Sequence, residues 1–450
     1  MTQEISLYTP LTGYPELEAK IAYGLAKVGV ESAEVESITI EPLGGCYKIT
    51  INGTKDKLES AFNTIMHRLF SSKFIPLNTP GVTSRTALTL TTQKNEKFEL
   101  DDYFKLPAIN FKNQTNEPVC RHGKNTVSAV IGLTASTSYH HERDYINVDN
   151  KKENGEIHKT HRPTNPKEIC KTCALLALLG TWSTTFIFNI KDQEVVITPI
   201  LKQKLGGAQL IKLFSIQHQL RNIKMTADIP STLIPILVLS KIPSNLEVLK
   251  DFDLHIAVLT RPQGYHVDSL YIGATGKYIE YLNNNSYNIA AIDNMFENNA
   301  IEALSVLNNL LITRRKDMLL KFARVYVSQT SSDNWINLMY YQTAKYLSEE
   351  VCMINKDIIN NKAISSLAQT LRYFVKERKY HYADDLRNSR KDSKDFEETI
   401  VKMLREARLR KEQDDKIHLP NDEEIKEIFN LAQDNFDDVK TSIVLLALAG

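Results

Sequence analysis

The chain contains no apolar run of about 18 residues, the length that a membrane-spanning helix requires. Its longest apolar stretches, residues 233–243 and 442–450, are too short to cross a bilayer and predict core strands or helices. Residues 1–20 lack a basic segment followed by an apolar one, which excludes the pattern of a signal peptide. We therefore expect a cytoplasmic protein without a membrane partner.

Cysteine is scarce as well, and five cysteines in 450 residues exclude a disulfide scaffold. A net charge of +1 excludes a highly basic nucleic-acid coating protein. Phosphate-loop, nucleophile-elbow, kinase and dinucleotide motifs are all missing. Gly206 and Gly207 lack the lysine and hydroxyl of a phosphate loop, so this pair predicts only the start of a helix. The sequence offers no catalytic motif, and we predict no catalytic residue.

Residues 1–75 show the order strand, helix, strand, strand, helix. The two central strands alternate apolar and polar residues on either side of Gly44 and Gly45, which predicts a hairpin. This order is typical of a split βαβ, ferredoxin-like unit. Such a fold alone does not determine a function.

Residues 76–290 predict a mixed α/β body that contains an irregular insertion. Residues 76–166 are polar, with Asn-rich and Pro-containing segments at 110–126 and 148–168, and predict loops. Strong hairpin patterns follow at 184–200 and 253–274, separated by an amphipathic helix at 206–222. From about Lys277 to residue 450 the sequence carries almost no strand signal, and we place the helical bundle at residues 291–450. We predict an α+β protein, in which the mixed body precedes an all-helical bundle.

The stretch from Ala363 to Lys411 holds the most informative pattern of the chain. Its apolar residues recur at helical spacing, and between Arg372 and Lys411 there are thirteen Lys or Arg against eight Asp or Glu, a surplus of five. Helices with one apolar face and arginines outside suit a bundle lying along a nucleic-acid backbone. The alternative is a solvated surface of ion pairs, such as Glu398 with Lys402. Asp384 and Asp385 are expected to pair with nearby arginines.

Two further features of the helical part bear on nucleic-acid binding. A second basic cluster contains Arg314, Arg315, Lys316, Lys321 and Arg324. Seven aromatic residues alternate with basic ones and permit stacking on unpaired bases, although their helical spacing favours core packing: Tyr340, Tyr341, Tyr346, Tyr373, Phe374, Tyr380 and Tyr382.

Cys170 and Cys173 form a CxxC pair at the start of an apolar helix, which is half of a structural zinc site. With Cys120 and one histidine, such as His122, they would complete a Cys₃His site. The alternative is a pair of ordinary buried thiols. His140, His141 and Asn147, with His158 or His161, also permit an HNH-type metal nuclease, for which the required strand–turn–helix frame is not evident.

The segment ISSLAQTLRYFVKERKYHYADDLRNSR at 364–390, followed by FEETIVKMLREARLRK at 396–411, resembles the C-terminal helical part of a type I CRISPR Cascade large subunit. The similarity is to the subtype I-A and I-B forms, whose C-terminal part resembles the small subunit. It covers about the last quarter of the chain. In related systems a separate small subunit starts inside the gene, and Met318, Met339 and Met353 are internal methionines near this region.

The resemblance implies a non-catalytic subunit that recognises the PAM and stabilises the R-loop. Its partners would be guide RNA, target double-stranded DNA, the backbone, crRNA 5′-end and small subunits, and the nuclease-helicase. Loop candidates for PAM reading are Asn110, Lys112, Asn113, Gln114, Arg121 and Lys124. Candidates for backbone contacts are Arg372, Arg378, Lys379, Arg387, Arg390, Arg405, Arg408 and Arg410, together with Arg314, Arg315, Lys321 and Arg324. A zinc-dependent nucleic-acid-cleaving enzyme and a helical scaffold that binds no nucleic acid are the alternatives.

Overall fold

The structure is a computed structural model that describes residues 3–12, 15–32, 37–70, 99–107, 126–128, 145–153, 156–163, 168–190, 193–219, 224–225, 229–241, 246–260, 266–272, 275–391, 394–412 and 416–450. It confirms the α+β class. The chain divides into two compact units: Met1–Ser231 with Lys241–Gly276, and Thr232–Ser240 with Lys277–Gly450. Apart from residues 232–240, the helical unit begins at Lys277, where the strand signal of the sequence ends, and not at residue 291, where we placed the start of the bundle. Within the described residues, no helix combines the length and apolar character that membrane crossing requires.

The first sheet of unit one has the predicted split βαβ order. It follows β1 (Gln3–Tyr8), α1 (Pro15–Ser32), β2 (Ile38–Pro42), β3 (Tyr47–Gly53) and α2 (Lys55–Phe70). β3 lies between β1 and β2 and is antiparallel to both, so β1 and β2 run parallel to each other. Gly44 and Gly45 take positive φ at the hairpin. The fourth strand, β10 (Leu205–Gly206), pairs with β2.

The second sheet contains both predicted hairpins. Its strands are β8 (Phe186–Ile190), β9 (Gln193–Leu201), β11 (Lys224–Met225), β12 (Phe252–Thr260) and β13 (His266–Ile272), in the order β11-β8-β9-β12-β13. The helices α3 (Lys171–Thr184) and α4 (Gly207–Gln219) complete the described α-helices of this unit. α4 begins at Gly207, as the glycine pair predicted. Short 3₁₀ helices lie at Asp101–Phe104, Ser231–Leu233 and Leu246–Asp251.

A third hairpin lies where the sequence predicted loops. β5 (Tyr145–Glu153) and β6 (Glu156–Pro163) pair antiparallel, and the short strands β4 (Thr126–Ser128) and β7 (Glu168–Cys170) pair with each other. The prediction was wrong because it relied on apolar alternation, which a ladder held by backbone hydrogen bonds does not require. The sequence did carry one hairpin signal, the Asn154-Gly155 pair that separates the two strands.

α1 and α3 cross at glycines, which lets their backbones approach. A Cβ atom on Gly180 would lie 1.8 Å from the carbonyl oxygen of Lys20, and one on Gly24 would lie 2.2 Å from that of Leu176. Both helices are buried along almost their whole described length. The crossing therefore forms the centre of unit one.

Unit two consists of helices. They are α5 (Ile234–Ser240), α6 (Thr275–Asn284), α7 (Ser286–Glu297), α8 (Ile301–Thr313), α9 (Lys316–Thr330), α10 (Tyr341–Tyr346), α11 (Lys356–Ile359), α12 (Lys362–Lys376), α13 (His381–Asn388), α14 (Asp395–Lys411) and α15 (Asp422–Leu448). A π-helical turn, Leu347–Val351, continues α10. Asn361 caps α12, and Asn421 with Glu424 forms a capping box on α15.

The helical spacing of the stretch at 363–411 correctly predicted its buried face. Every apolar residue of that pattern is less than a tenth exposed: Ile364, Leu367, Leu371, Phe374, Val375, Phe396, Ile400, Met403, Leu404 and Ala407. The sequence from Trp335 to Val351 has the pattern of one helix, but the helix begins only at Tyr341. Ser332 and Trp335 exchange backbone hydrogen bonds in a turn, and Met339 pairs with the chain end through Leu448 and Gly450.

Candidate nucleic-acid interface

The twelve basic residues predicted to contact a nucleic-acid backbone differ in burial and in the partners of their side chains. All of them lie in unit two, on α9, α12, α13, α14 and the adjoining turns. Their side chains have different neighbours, and these neighbours decide which cations are available to a ligand.

Arg372 on α12 is engaged inside the unit. Its Nη2 donates a 2.7 Å hydrogen bond to the carbonyl oxygen of Leu446, in the last turn of α15, and its Nε is buried without a hydrogen-bond partner. Burial lowers the pKa of the Arg372 guanidinium. The carbonyls of a last helical turn have no donor in their own helix. Arg372 therefore caps α15, and its side chain is not placed to contact a nucleic acid.

Replacing Arg372 with methionine should lower the free energy of unfolding by about 2 kcal/mol, because the Leu446 carbonyl loses its donor. Methionine keeps an apolar chain of similar length, and Arg372→Ala should cost more because packing is lost as well. Urea unfolding of both variants measures the two effects. Two variants as stable as the parent would contradict the capping role.

Arg314 and Arg315 lie in the turn between α8 and α9. Arg314 adopts a left-handed conformation with φ of 56° and lies 4.0 Å from Glu280. Arg315 pairs with Asp317 through two contacts, Nε to Oδ1 at 3.0 Å and Nη2 to Oδ2 at 2.7 Å. This hydrogen bond lowers the pKa of the Asp317 carboxyl. The charge of Arg315 is thus largely offset by its own neighbour.

Asp384 on α13 forms ion pairs with two arginines. Arg324 Nε from α9 lies 3.4 Å from Asp384 Oδ1, and Arg387 Nη1 lies 3.8 Å from the same oxygen. The Arg324 guanidinium also stacks on the Tyr380 ring, 3.8 Å from the ring centre. Lys321, one turn before Arg324 on α9, is exposed and makes no ion pair with the described residues. We call Lys321, Arg324, Arg387, Tyr380 and Asp384 the Asp384 cluster.

Glu406 on α14 likewise accepts from two cations. Lys379 Nζ lies 3.2 Å and Arg410 Nη2 lies 2.7 Å from Glu406 Oε1, and the Tyr382 hydroxyl donates to the other oxygen. Burial, and after it this hydrogen bond, raises the pKa of Tyr382. Sequence reasoning named the cations but missed the carboxylate that joins them. The spacing of Glu406 and Arg410, four residues apart on one helix, was the available signal.

The remaining four candidates differ in their surroundings. Arg378, with φ of 60°, donates to the Ser332 carbonyl. Arg390 is exposed after α13. Arg405 is exposed and has no ion pair among the described residues, while Arg408 lies 3.8 Å from Asp422. Glu398 and Lys402 form the ion pair that the alternative interpretation predicted, at 3.5 Å.

The aromatic residues mostly pack inside the unit, as their spacing favoured. Phe374 and Tyr382 are buried, Tyr340, Tyr346, Tyr373 and Tyr380 are half-buried, and Tyr341 is exposed. Phe374 contacts both Tyr373 and Tyr382 edge to face. Stacking on unpaired bases would therefore involve few of these rings.

The predicted zinc ligands are described only in part. Cys170 precedes α3, where its sulfur accepts the backbone N–H of Cys173 at 3.3 Å. The Cys173 sulfur lies 3.0 Å from the Tyr103 hydroxyl, and both thiols are buried. Cys120 and His122 lie outside the described residues, within which no group of three His, Cys, Asp or Glu side chains surrounds a metal position. The zinc site stays a prediction with two of its four ligands placed at one helix start.

Two other sets of candidates fall largely beyond the described part of the chain. The six PAM candidates, at 110–124, and the histidines His140 and His141 are outside it. Of the nuclease candidates, Asn147 on β5 is the register partner of His161 on β6, and His158 pairs with Lys151. The frame of these residues is a hairpin, whereas the nuclease prediction required a strand, a turn and a helix.

No family model matches the chain, and no curated protein matches it.

Proposed function

We propose that the chain is a non-catalytic, nucleic-acid-binding subunit of a type I CRISPR Cascade complex, and that its helical unit follows the phosphate backbone of a bound strand. One observation carries the binding part of the proposal. In the Asp384 cluster and around Glu406, one carboxylate is shared by two cations, so the ion pairs of each set contain one more cation than anion.

The chemistry of guanidinium supports a backbone ligand. An arginine has five N–H donors, and a carboxylate shared with a second cation occupies only some of them. The ion pair and the Tyr380 ring hold Arg324 in one orientation before any ligand arrives. Lys321 adds an exposed charge beside it. A cluster of cations such as this one binds phosphates of any base sequence. Binding of this kind is what a protein needs to hold a displaced single strand.

The finer parts of the proposal rest on the resemblance of residues 364–411. They are the binding of guide RNA, PAM recognition by the first unit, assembly with the other Cascade subunits, and recruitment of the nuclease-helicase in antiviral defence. In this view base pairing with the guide reads the target, and the protein reads only the PAM and the shape of the duplex. This division of labour requires no catalytic residue in the chain.

Purification of the tagged full-length protein from its native host tests the assignment. We expect copurifying subunits and bound RNA whose sequence derives from CRISPR repeats. A protein that is recovered alone and without RNA would reject the assignment. Metal-dependent cleavage that is lost in His140→Ala would support the nuclease instead.

Direct binding tests the Asp384 cluster. Lys321→Gln combined with Arg387→Gln should weaken binding of a labelled single-stranded DNA about tenfold. It should also reduce the slope of log affinity against log salt by about 1.4, because each lost phosphate contact removes about 0.7. Fluorescence anisotropy of the full chain across a salt series measures both quantities.

The matched control removes the same charge elsewhere in the unit. Arg315→Gln combined with Lys356→Gln breaks exposed pairs with Asp317 and Glu350, so binding should change little. Arg372→Met is a second control, in which the cation that is removed is a buried one. If the control variant weakens binding as much as the cluster variant, only net charge matters and the site is wrong. Salt-independent binding would contradict backbone contact altogether.

A further inference from the structure

α14 and α15 enclose a groove in unit two. The two helices run antiparallel and touch near its ends: Phe396 meets Phe436 with ring centres 5.2 Å apart, and Arg408 lies 3.8 Å from Asp422. Between these contacts the surfaces part and leave a cavity of about 360 Å³. A volume of this size accommodates a few apolar side chains.

The walls of the groove are apolar and partly open to solvent. α14 contributes Ile400, Val401, Leu404 and Leu409, and α15 contributes Ile425 and Phe429. Val401 is 52% exposed and Leu409 is 64% exposed. The two residues lie about two turns apart on the side of α14 that lines the groove. Exposed branched residues beside an apolar cavity are typical of a surface that a partner covers.

The charged side chains that line the groove have one sign. The only charged side chains among its lining residues are Arg405 and Arg408. Arg405 has no ion pair among the described residues. Arg408 and Asp422 are 63% and 87% exposed, so their pair is weak. An occupant with carboxylates beside its apolar face would therefore match both the walls and the rim.

We propose that this groove binds an acidic amphipathic helix of a partner protein. Apolar residues of that helix at positions i, i+3 or i+4, and i+7 would fill the space between Val401 and Leu409. Its Glu or Asp residues would pair with Arg405 and Arg408. A nucleic acid fits less well, because a phosphate backbone would leave the aliphatic walls uncovered. Glu406 and Arg410 are not among the residues that line the groove, and Glu406 contacts Lys379 and Tyr382 instead, so this surface is separate from the cation sets described above.

The test uses a synthetic helical peptide and the full-length protein. The peptide carries leucines at i, i+3 and i+7 and glutamates on the flanking positions; a second peptide has lysine in place of glutamate. We expect saturable binding of the acidic peptide, measured by fluorescence anisotropy. Leu409→Ser should weaken binding of the acidic peptide about tenfold, because the variant has no leucine side chain for the peptide to bury. Arg405→Glu should weaken binding of the acidic peptide and strengthen binding of the lysine-containing peptide.

The matched control is Met353→Ser, which removes an exposed apolar side chain of unit two outside the groove and should leave binding unchanged. No binding of the acidic peptide, or equal losses in Leu409→Ser and Met353→Ser, would overturn the proposal. So would loss of single-stranded DNA binding in Arg405→Glu without loss of peptide binding. The inference does not depend on the proposed function, because Lys321→Gln with Arg387→Gln should retain full peptide affinity.

Discussion

Replacing Gly180 with alanine is expected to lower the free energy of unfolding of the first unit by about 3 kcal/mol, the upper end of the usual effect of overpacking a core. The added Cβ would lie 1.8 Å from the oxygen and 2.7 Å from the carbon of the Lys20 carbonyl. These are backbone atoms, so no side-chain rotation relieves the contact. α1 and α3 would have to move apart and give up close packing along both helices.

The two tryptophans make this measurement specific. Trp182 lies in α3 of the first unit and Trp335 in the second unit, so a Trp335→Phe background leaves fluorescence that reports the first unit alone. Gly206→Ala is the matched control, because a Cβ there meets no atom within 4 Å. Equal stability of Gly180→Ala and Gly206→Ala in urea would show that the crossing is looser than described.

Much of the fold follows from local patterns. The hairpins β8–β9 and β12–β13 were predictable because they are rich in apolar and β-branched residues, which favour β-strands. The buried face of α12 and α14 followed from 3.6-residue spacing. β5 and β6 were missed because polar strands carry no such pattern. The Gly180 crossing was also missed, since nothing local indicates that Lys20 lies opposite.

The candidate site was predictable in composition and not in arrangement. The surplus of positive charge at 372–411 is a property of the sequence. Lys379 and Glu406, however, are 27 residues apart, and Arg324 and Asp384 are 60 apart, so their pairing depends on how α9, α13 and α14 pack. Arg372 shows the limit most clearly. Its position in a basic stretch indicated a surface cation, and only the packing of α12 against α15 reveals a helix cap.

The first unit also contains a buried histidine that no motif indicated. His255 on β12 is 3% exposed and is the register partner of Thr198 on β9. Burial, and secondarily the charge of nearby Lys20, lowers the pKa of His255 to about 3. Lys20 on α1 is itself buried, and burial lowers its pKa to about 8 despite Glu16, so it stays charged in mildly acidic solution. Protonation of His255 would place two positive charges in one buried region.

We therefore expect the first unit to lose stability in mild acid. In the unfolded chain the pKa of His255 is about 6.5, so the unfolded state binds a proton in a pH range where the folded state does not. The stabilisation is complete above pH 6.5 and is lost as pH falls toward the folded value of about 3. Between pH 7 and 5 the loss amounts to about 2 kcal/mol.

Urea unfolding at pH 7 and pH 5, read by Trp182 in the Trp335→Phe background, measures this loss. His255→Gln removes the titration while keeping a polar side chain, so the difference between the two pH values should shrink by about 2 kcal/mol. Carboxylates titrate in both proteins and cancel in the comparison. If the variant and the parent lose the same stability in acid, His255 is protonated in the folded chain and the region around Lys20 is open to water.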